Sequence, residues 1–242
     1  MCKRLRKVGK GKVRHKNLID KGDIKKLYEH PFNICTPSGL LNKVWFEVLL
    51  YFCRRGHENL SDMRPHHFEV THDDEGKQFI RKLSSEATKN HKGDIVEDFK
   101  PEGVRIYATG TALCPVALFI KYLGKLNPNY DVMWQKPRDS YDVNDSCWYK
   151  KKSLGTNVLA VMMTQISESA NLSEKYTNHC VRATCITVLN ESGFAARQIV
   201  TVSGHRNEQS VQTYVRDTST AQKRSTSASL SSFTTNSLEQ CY

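Results

Sequence analysis

The run Val44-Trp45-Phe46-Glu47-Val48-Leu49-Leu50-Tyr51-Phe52-Cys53 constrains the fold more than any other segment, because it is apolar over enough length for a helix buried in a core. Burying such a helix takes other elements wrapped around it. At 242 residues the chain can supply one domain with a full core, or a domain plus flexible ends, but hardly two large domains. The helix closes on Arg54-Arg55-Gly56, which sets two guanidiniums at the end of a core element.

The flanking sequence fills in an α+β fold that is mainly α. His67-Phe68-Glu69-Val70-Thr71 and Lys77-Gln78-Phe79-Ile80-Arg81-Lys82-Leu83 alternate as half-buried strands around the turn Asp73-Asp74-Glu75-Gly76, which predicts a hairpin. A third strand is expected around Val104-Arg105-Ile106-Tyr107, giving a small three-stranded antiparallel sheet. Beyond it the pattern reads helical throughout: Pro115 to Leu126, Thr156 to Ser167, Thr177 to Ser192 ending at Gly193, and Ala195 to Ser203 ending at Gly204. A short fifth helix carries Tyr214. Met162 and Met163 read as core filler. The expected layout is a basic arm over 1–20, one domain over 21–216 and a Ser/Thr-rich tail over 217–242.

A net charge of +11 points to a polyanionic partner, with nucleic acid the commonest. Lys3, Arg4, Arg6, Lys7, Lys10, Lys12, Arg14 and Lys16 supply most of that surplus in residues 1–16, and the body is nearly balanced. The arm suits a phosphate-gripping extension and a nuclear-targeting tail equally. No apolar run approaches the roughly 18 residues of a membrane span, so a membrane protein is not expected. The eight cysteines form no CxxC pair and read as reduced thiols.

Three local signatures follow one another along the chain: Arg55-Gly56-His57-Glu58-Asn59-Leu60, His179-Cys180-Val181-Arg182, and Gly204-His205 followed by Tyr214. On a helix His179 and Arg182 stand at i and i+3, on one face, where both can address one ligand. In this order and pattern, residues 40 to 216 resemble the catalytic domain of the tyrosine recombinases, with their helical bundle and small sheet. The resemblance implies a catalytic set of Arg55, Lys89, His179, Arg182, His205 and Tyr214, with Arg54 and Lys92 as alternatives for the first Arg and the Lys. Within that family the stretches Thr88-Lys89-Asn90-His91-Lys92-Gly93 and Cys114-Pro115-Val116 look closest to Crypton-type recombinases of mobile elements and their domesticated descendants in glutamine-rich and MYM-type zinc-finger proteins.

The chemistry explains why these residue types belong together. Attack on a phosphodiester loads negative charge on the non-bridging oxygens, which the forks of Arg55 and Arg182 can bond in a bidentate way. A Tyr hydroxyl, with a reference pKa of about 10, needs a base or a cationic field to attack; His179 is the natural base. Lys89 would protonate the leaving 5′ oxygen, and His205 would donate to a phosphate oxygen. The implied reaction is transesterification through a 3′-phosphotyrosyl link. It calls for no metal and no cofactor, and it takes double-stranded DNA as partner. The family further implies self-association into a tetramer on DNA, and a nuclear location fits the basic arm.

Two rival readings remain at this stage. One is a silent DNA- or chromatin-binding module of the same fold, favoured by the few residues before Leu40, too few for the helical core-binding domain that full recombinases carry. The other is a nuclease holding Mg²⁺ on Asp73, Asp74 and Glu75, although acidic turns are usually only solvated and no second carboxylate cluster joins them. A zinc reading of His179, Cys180 and Cys185 fails on spacing.

Deleting residues 1–16 tests the arm. If its eight cations contact phosphates, the slope of log affinity against log salt should fall by several units, each contact contributing about 0.9. An unchanged slope in a salt titration of duplex binding would leave the arm as a tail or address signal.

Overall fold

The buried helix starts well before the apolar run. Thr36 accepts a hydrogen bond on its hydroxyl from the backbone N–H of Gly39 at 3.0 Å, and Pro37 occupies the first turn. In this computed structural model, which describes residues 17–56, 58–83, 104–205 and 207–212 together with 224, 227 and 228, the helix is α2, Pro37–Tyr51. Trp45, Phe46, Val48 and Leu49 are all fully buried in it. Lys43 and Glu47, one turn apart, are buried as an ion pair, and Lys43 also donates to the Tyr28 hydroxyl at 3.0 Å.

Ahead of it lies α1, Lys21–Glu29, begun by Asp20, whose side chain accepts from the Gly22 N–H at 2.7 Å. Residues 17–20, which the sequence assigned to the basic arm, are part of the folded body: Ile19 is buried and its N–H donates to the Thr184 hydroxyl at 3.0 Å. The arm reading therefore stops short of residue 17, and residues 1–16 lie outside the described part. The contact that draws them in is long-range, since Thr184 is 165 positions away along the chain.

The expected three-stranded antiparallel sheet is present: β1 (Phe68–His72), β2 (Gln78–Lys82) and β3 (Arg105–Tyr107), in that order, with Val70 opposite Ile80 and Ile80 opposite Ile106. The acidic turn between β1 and β2 is structural, because the Asp73 carboxylate accepts from the N–H groups of Glu75 and Lys77 at 3.1 and 2.8 Å. Phe68 carries the sheet onto the next helix, α3 (Pro115–Lys125), with its ring centroid 5.4 Å from that of Phe119.

The chain after α3 is not wholly helical, as its pattern suggested. A second, two-stranded antiparallel sheet joins β4 (Gln135–Pro137) to β5 (Tyr149–Ser153). Pro137 and the run Lys150-Lys151-Lys152 hide these strands from any alternation rule. What holds them is burial of Trp134, Trp148 and Tyr149, with the Tyr149 hydroxyl donating to the Pro37 carbonyl at 2.8 Å.

The remaining helices match expectation closely: α4 (Thr156–Ser169), α5 (Asn178–Glu191) and α6 (Ala196–Ser203), followed by the short α7 (Glu208–Gln212). Met162 and Met163 are buried core residues. One large apolar cluster surrounds α2, and a small second one joins Cys53, Cys185, Ile186, Ile199 and Val211. Cys35, Cys53, Cys114, Cys147, Cys180 and Cys185 are free thiols. No described helix is long and apolar enough to cross a membrane.

Asp23 ties α1 to the α4–α5 connection. Its buried carboxylate accepts from the N–H of Ser173 at 3.1 and 3.2 Å and from the hydroxyl of Tyr176 at 2.9 Å. Burial pushes its pKa up, but the bonds from Ser173, Tyr176 and Lys26 outweigh it and hold the group at about 2. The depressed value means that the stabilisation is complete above the unfolded-state pKa near 4 and is lost as the pH falls through about 2. In urea unfolding at pH 7, Asp23→Asn is expected to cost about 2 kcal/mol, with the gap to wild type closing as the pH falls below about 4. A gap that stays constant across that range would show that the charge of Asp23 contributes nothing.

Candidate active site

The site begins where α2 ends. Cys53 takes a left-handed backbone conformation (φ 46°), costly for a residue with a Cβ, and the chain turns back so that the Arg54 N–H donates to the Leu49 carbonyl at 3.0 Å. The turn presents both arginines next to Glu58. An Arg55 Nη lies 3.3 Å from the Glu58 carboxylate, each side chain about a quarter exposed, while Arg54 donates to the Glu58 backbone carbonyl at 3.4 Å.

On α5, one helical turn separates an exposed His179 from a buried Arg182. His179 stands over Gly56: a Cβ at that position would come within 2.5 Å of the imidazole Nε2 and 2.6 Å of Cε1. Only a glycine lets the ring approach the Arg55-Gly56 turn so closely. Asn178 donates to the Gly56 carbonyl at 2.7 Å.

Arg182 reaches inward, 5% exposed. One Nη donates to the carbonyl of Cys53, and the other donates to the carbonyl of Ser203 at 2.7 Å. The second Nη also lies 3.3 Å from Nε2 and 3.4 Å from Nδ1 of His205. His205 is placed there by the end of α6, where Gly204 adopts φ 63° and turns the chain. The Ser203 hydroxyl is 2.7 Å from His205 Nδ1. Burial, then the charges of Arg182 and Arg55, push the His205 pKa down to about 4. The imidazole is therefore neutral at physiological pH, with one nitrogen to donate and one to accept.

The structure thus brings Arg55, His179, Arg182 and His205 together from three separate elements. Lys89 and its alternative Lys92, in 84–103, and Tyr214, in 213–223, lie outside the described residues; the expectation that a short fifth helix carries Tyr214 therefore falls outside them too. Sequence reasoning passed over Ser203 and Asn178. Each adjoins a motif, Ser203 before Gly204-His205 and Asn178 before His179, and that adjacency is the one signal that could have found them. Among the described residues, no group of three or more His, Cys, Asp or Glu is placed to hold a metal ion. Two guanidiniums, a neutral imidazole and an exposed imidazole form a donor-rich, cationic site suited to an oxyanion.

Comparison with known proteins bears on the fold that carries these residues. Residues 127–220 match the model of the phage integrase family, and residues 30–168 match the model named Domain of unknown function (DUF3504). No curated protein sequence matches the chain. Among solved structures, the XerA recombinase is similar over 91% of this chain and 67% of its own, with 15% identity and a TM-score of 0.51. The Tn1549 transposon integrase in complex with transposon right end DNA is similar over 94% of this chain and 70% of its own, at 12% identity and 0.54. XerH site-specific recombinase, in a post-cleavage complex with palindromic difH substrate, is similar over 88% of this chain, at 15% identity and 0.54. This chain spans about half of XerH, 53%. At such identities the likeness is one of fold. Since the DUF3504 match covers more than half of the 242 residues, the chain belongs to that family, and its fold is that of a tyrosine recombinase catalytic domain.

Proposed function

We propose that this chain breaks and rejoins double-stranded DNA as a site-specific recombinase, through a 3′-phosphotyrosyl intermediate on Tyr214. The observation that carries the proposal is the neighbourhood of four side chains: Arg182 lies against His205, Arg55 is near enough to oppose protonation of His205, and His179 covers the Gly56 that follows Arg55. A phosphodiester under attack gains charge on its non-bridging oxygens, and the guanidiniums of Arg55 and Arg182 are the donors for it. His205 adds an uncharged N–H to the same phosphate. His179, exposed at the start of α5, takes the proton of the Tyr214 hydroxyl as that oxygen bonds to phosphorus. The bond to the 5′ oxygen breaks, and Lys89, or Lys92 in the same turn, gives that oxygen its proton. Reversal by a 5′ hydroxyl of another strand exchanges partners. The 3′ phosphate stays esterified throughout, so no nucleotide is consumed.

The solved relatives that carry DNA, the Tn1549 integrase and XerH, support a duplex as the partner. Self-association on DNA, a nuclear location and a Crypton-type origin belong to the same proposal. The last rests on the Thr88–Gly93 stretch and on Cys114-Pro115-Val116 at the start of α3.

Tyr214→Phe tests the assignment, because it removes one oxygen and leaves the packing volume almost unchanged. On nicked duplex DNA, wild type should form a covalent adduct stable to denaturing electrophoresis, and Tyr214→Phe should form none while retaining duplex affinity. An adduct that persists in the variant overturns Tyr214 as nucleophile, and a wild type that binds duplex without forming adduct favours the silent module.

The site's electrostatics give a second expectation. In an NMR titration His205 should have a midpoint at about 4, and Arg55→Gln, by removing a cation that opposes protonation, should raise it. Because the unfolded chain protonates this group near 6.5, its contribution to stability should fall as the pH drops from about 6.5 toward 4. A midpoint near 6.5 that ignores Arg55 would separate the two residues.

A further inference from the structure

Asn178 is the first residue of α5, and its side chain is 2% exposed. Its Nδ2 donates to the Leu159 carbonyl at 2.8 Å and to the Gly56 carbonyl at 2.7 Å, and its Oδ1 accepts from the Met163 N–H at 3.0 Å. Leu159 and Met163 are four residues apart on α4, so the amide meets the carbonyl and the N–H of a single helical rung. Those two bonds fix α5 to α4. They do not require the third.

The third bond reaches the turn that carries Arg55. Neighbouring residues on α5 therefore grip Gly56 from two sides, Asn178 holding its carbonyl while the His179 ring covers its α-carbon. Swinging the turn away from α5 would leave a buried amide N–H without its acceptor, which is unfavourable. Arg55 immediately precedes Gly56, and His179 immediately follows Asn178. One hydrogen bond, between residues 122 positions apart, thus links two neighbours in the site, Arg55 and His179.

We propose that Asn178 is a positioning residue, which clamps the Arg55-Gly56 turn to the start of α5 so that the Arg55 guanidinium and the His179 imidazole meet the same phosphate. The inference rests on the recombinase reading for the identity of the ligand, but not for the geometry.

Two variants probe the clamp from its two ends. Asn178→Asp is nearly isosteric and keeps an acceptor for the Met163 N–H, but it loses both donated bonds and sets a carboxylate oxygen against two carbonyls. Gly56→Ala leaves every Asn178 bond possible and instead drives a methyl into the His179 ring. Three properties of the full chain are measured: the His179 imidazole proton resonances by NMR, affinity for duplex DNA, and covalent adduct on nicked DNA per folded molecule. Each variant should shift the His179 resonances and lower adduct by tenfold or more, with duplex affinity changed by less than about threefold. The double variant should lose little more adduct than either single one, since both break the same clamp.

If Asn178→Asp lowers the melting temperature yet leaves the His179 resonances and the adduct per folded molecule as in wild type, Asn178 only pins α4 and the proposal is overturned. Should Asn178→Asp fail to fold, Gly56→Ala decides alone, and an unmoved His179 resonance there overturns the clamp. Absence of adduct from wild type on every nicked duplex would count against the recombinase reading, while the NMR shifts would still decide the positioning.

Discussion

Arg182 is the side chain on which the site's assembly depends. A guanidinium buried to 5% exposure is expensive unless its N–H groups are met, and here they are met by the carbonyl of Cys53 at the end of α2 and the carbonyl of Ser203 at the end of α6. Both acceptors sit where a helix has run out of N–H partners for its last carbonyls, so one arginine satisfies two orphaned groups. It also locks the ends of two helices to the middle of a third. Among the described residues its bonds go to carbonyl oxygens and to His205, and no carboxylate cancels its charge. The positive charge is thereby held in place, and no described carboxylate neutralises it.

Arg55 is arranged differently. It is about a quarter exposed and shares its charge with Glu58, so it can move toward an anion and exchange one carboxylate for another acceptor. The pair thus combines a fixed cation with an adjustable one. His205, beside Arg182, is kept neutral first by burial and then by the same two charges. A protonated imidazole there would add a third positive charge beside two guanidiniums, and the half-buried setting does not stabilise it.

Much of this was legible in the sequence because it is local. The i, i+3 spacing of His179 and Arg182, the Gly204 stop before His205, the core helix ending at Arg54-Arg55 and the alternating hairpin around Asp73–Gly76 each need only a few neighbouring residues to be read. What could not be read depends on contacts made across the chain. β4 and β5 are strands because Trp134, Trp148 and Tyr149 are buried, against the local preference of Pro137 and three lysines. Residues 17–20 belong to the body because Thr184 receives Ile19. Gly56 reads as a simple helix terminator, yet its lack of a side chain matters for the imidazole of a residue 123 positions away.

The small apolar cluster of Cys53, Cys185, Ile186, Ile199 and Val211 has a consequence for motion. Among the described residues it carries α6 and α7 on far less buried hydrocarbon than the large cluster that surrounds α2. Local opening follows local burial, so amide hydrogen exchange in this C-terminal pair should proceed through a partial opening well below the free energy of global unfolding. Such an opening would carry His205 off the guanidinium while α2, α4 and α5 stay closed. The last imidazole of the site thus rides on the smaller of the two described clusters, whereas its deepest cation stands on the helix that joins both.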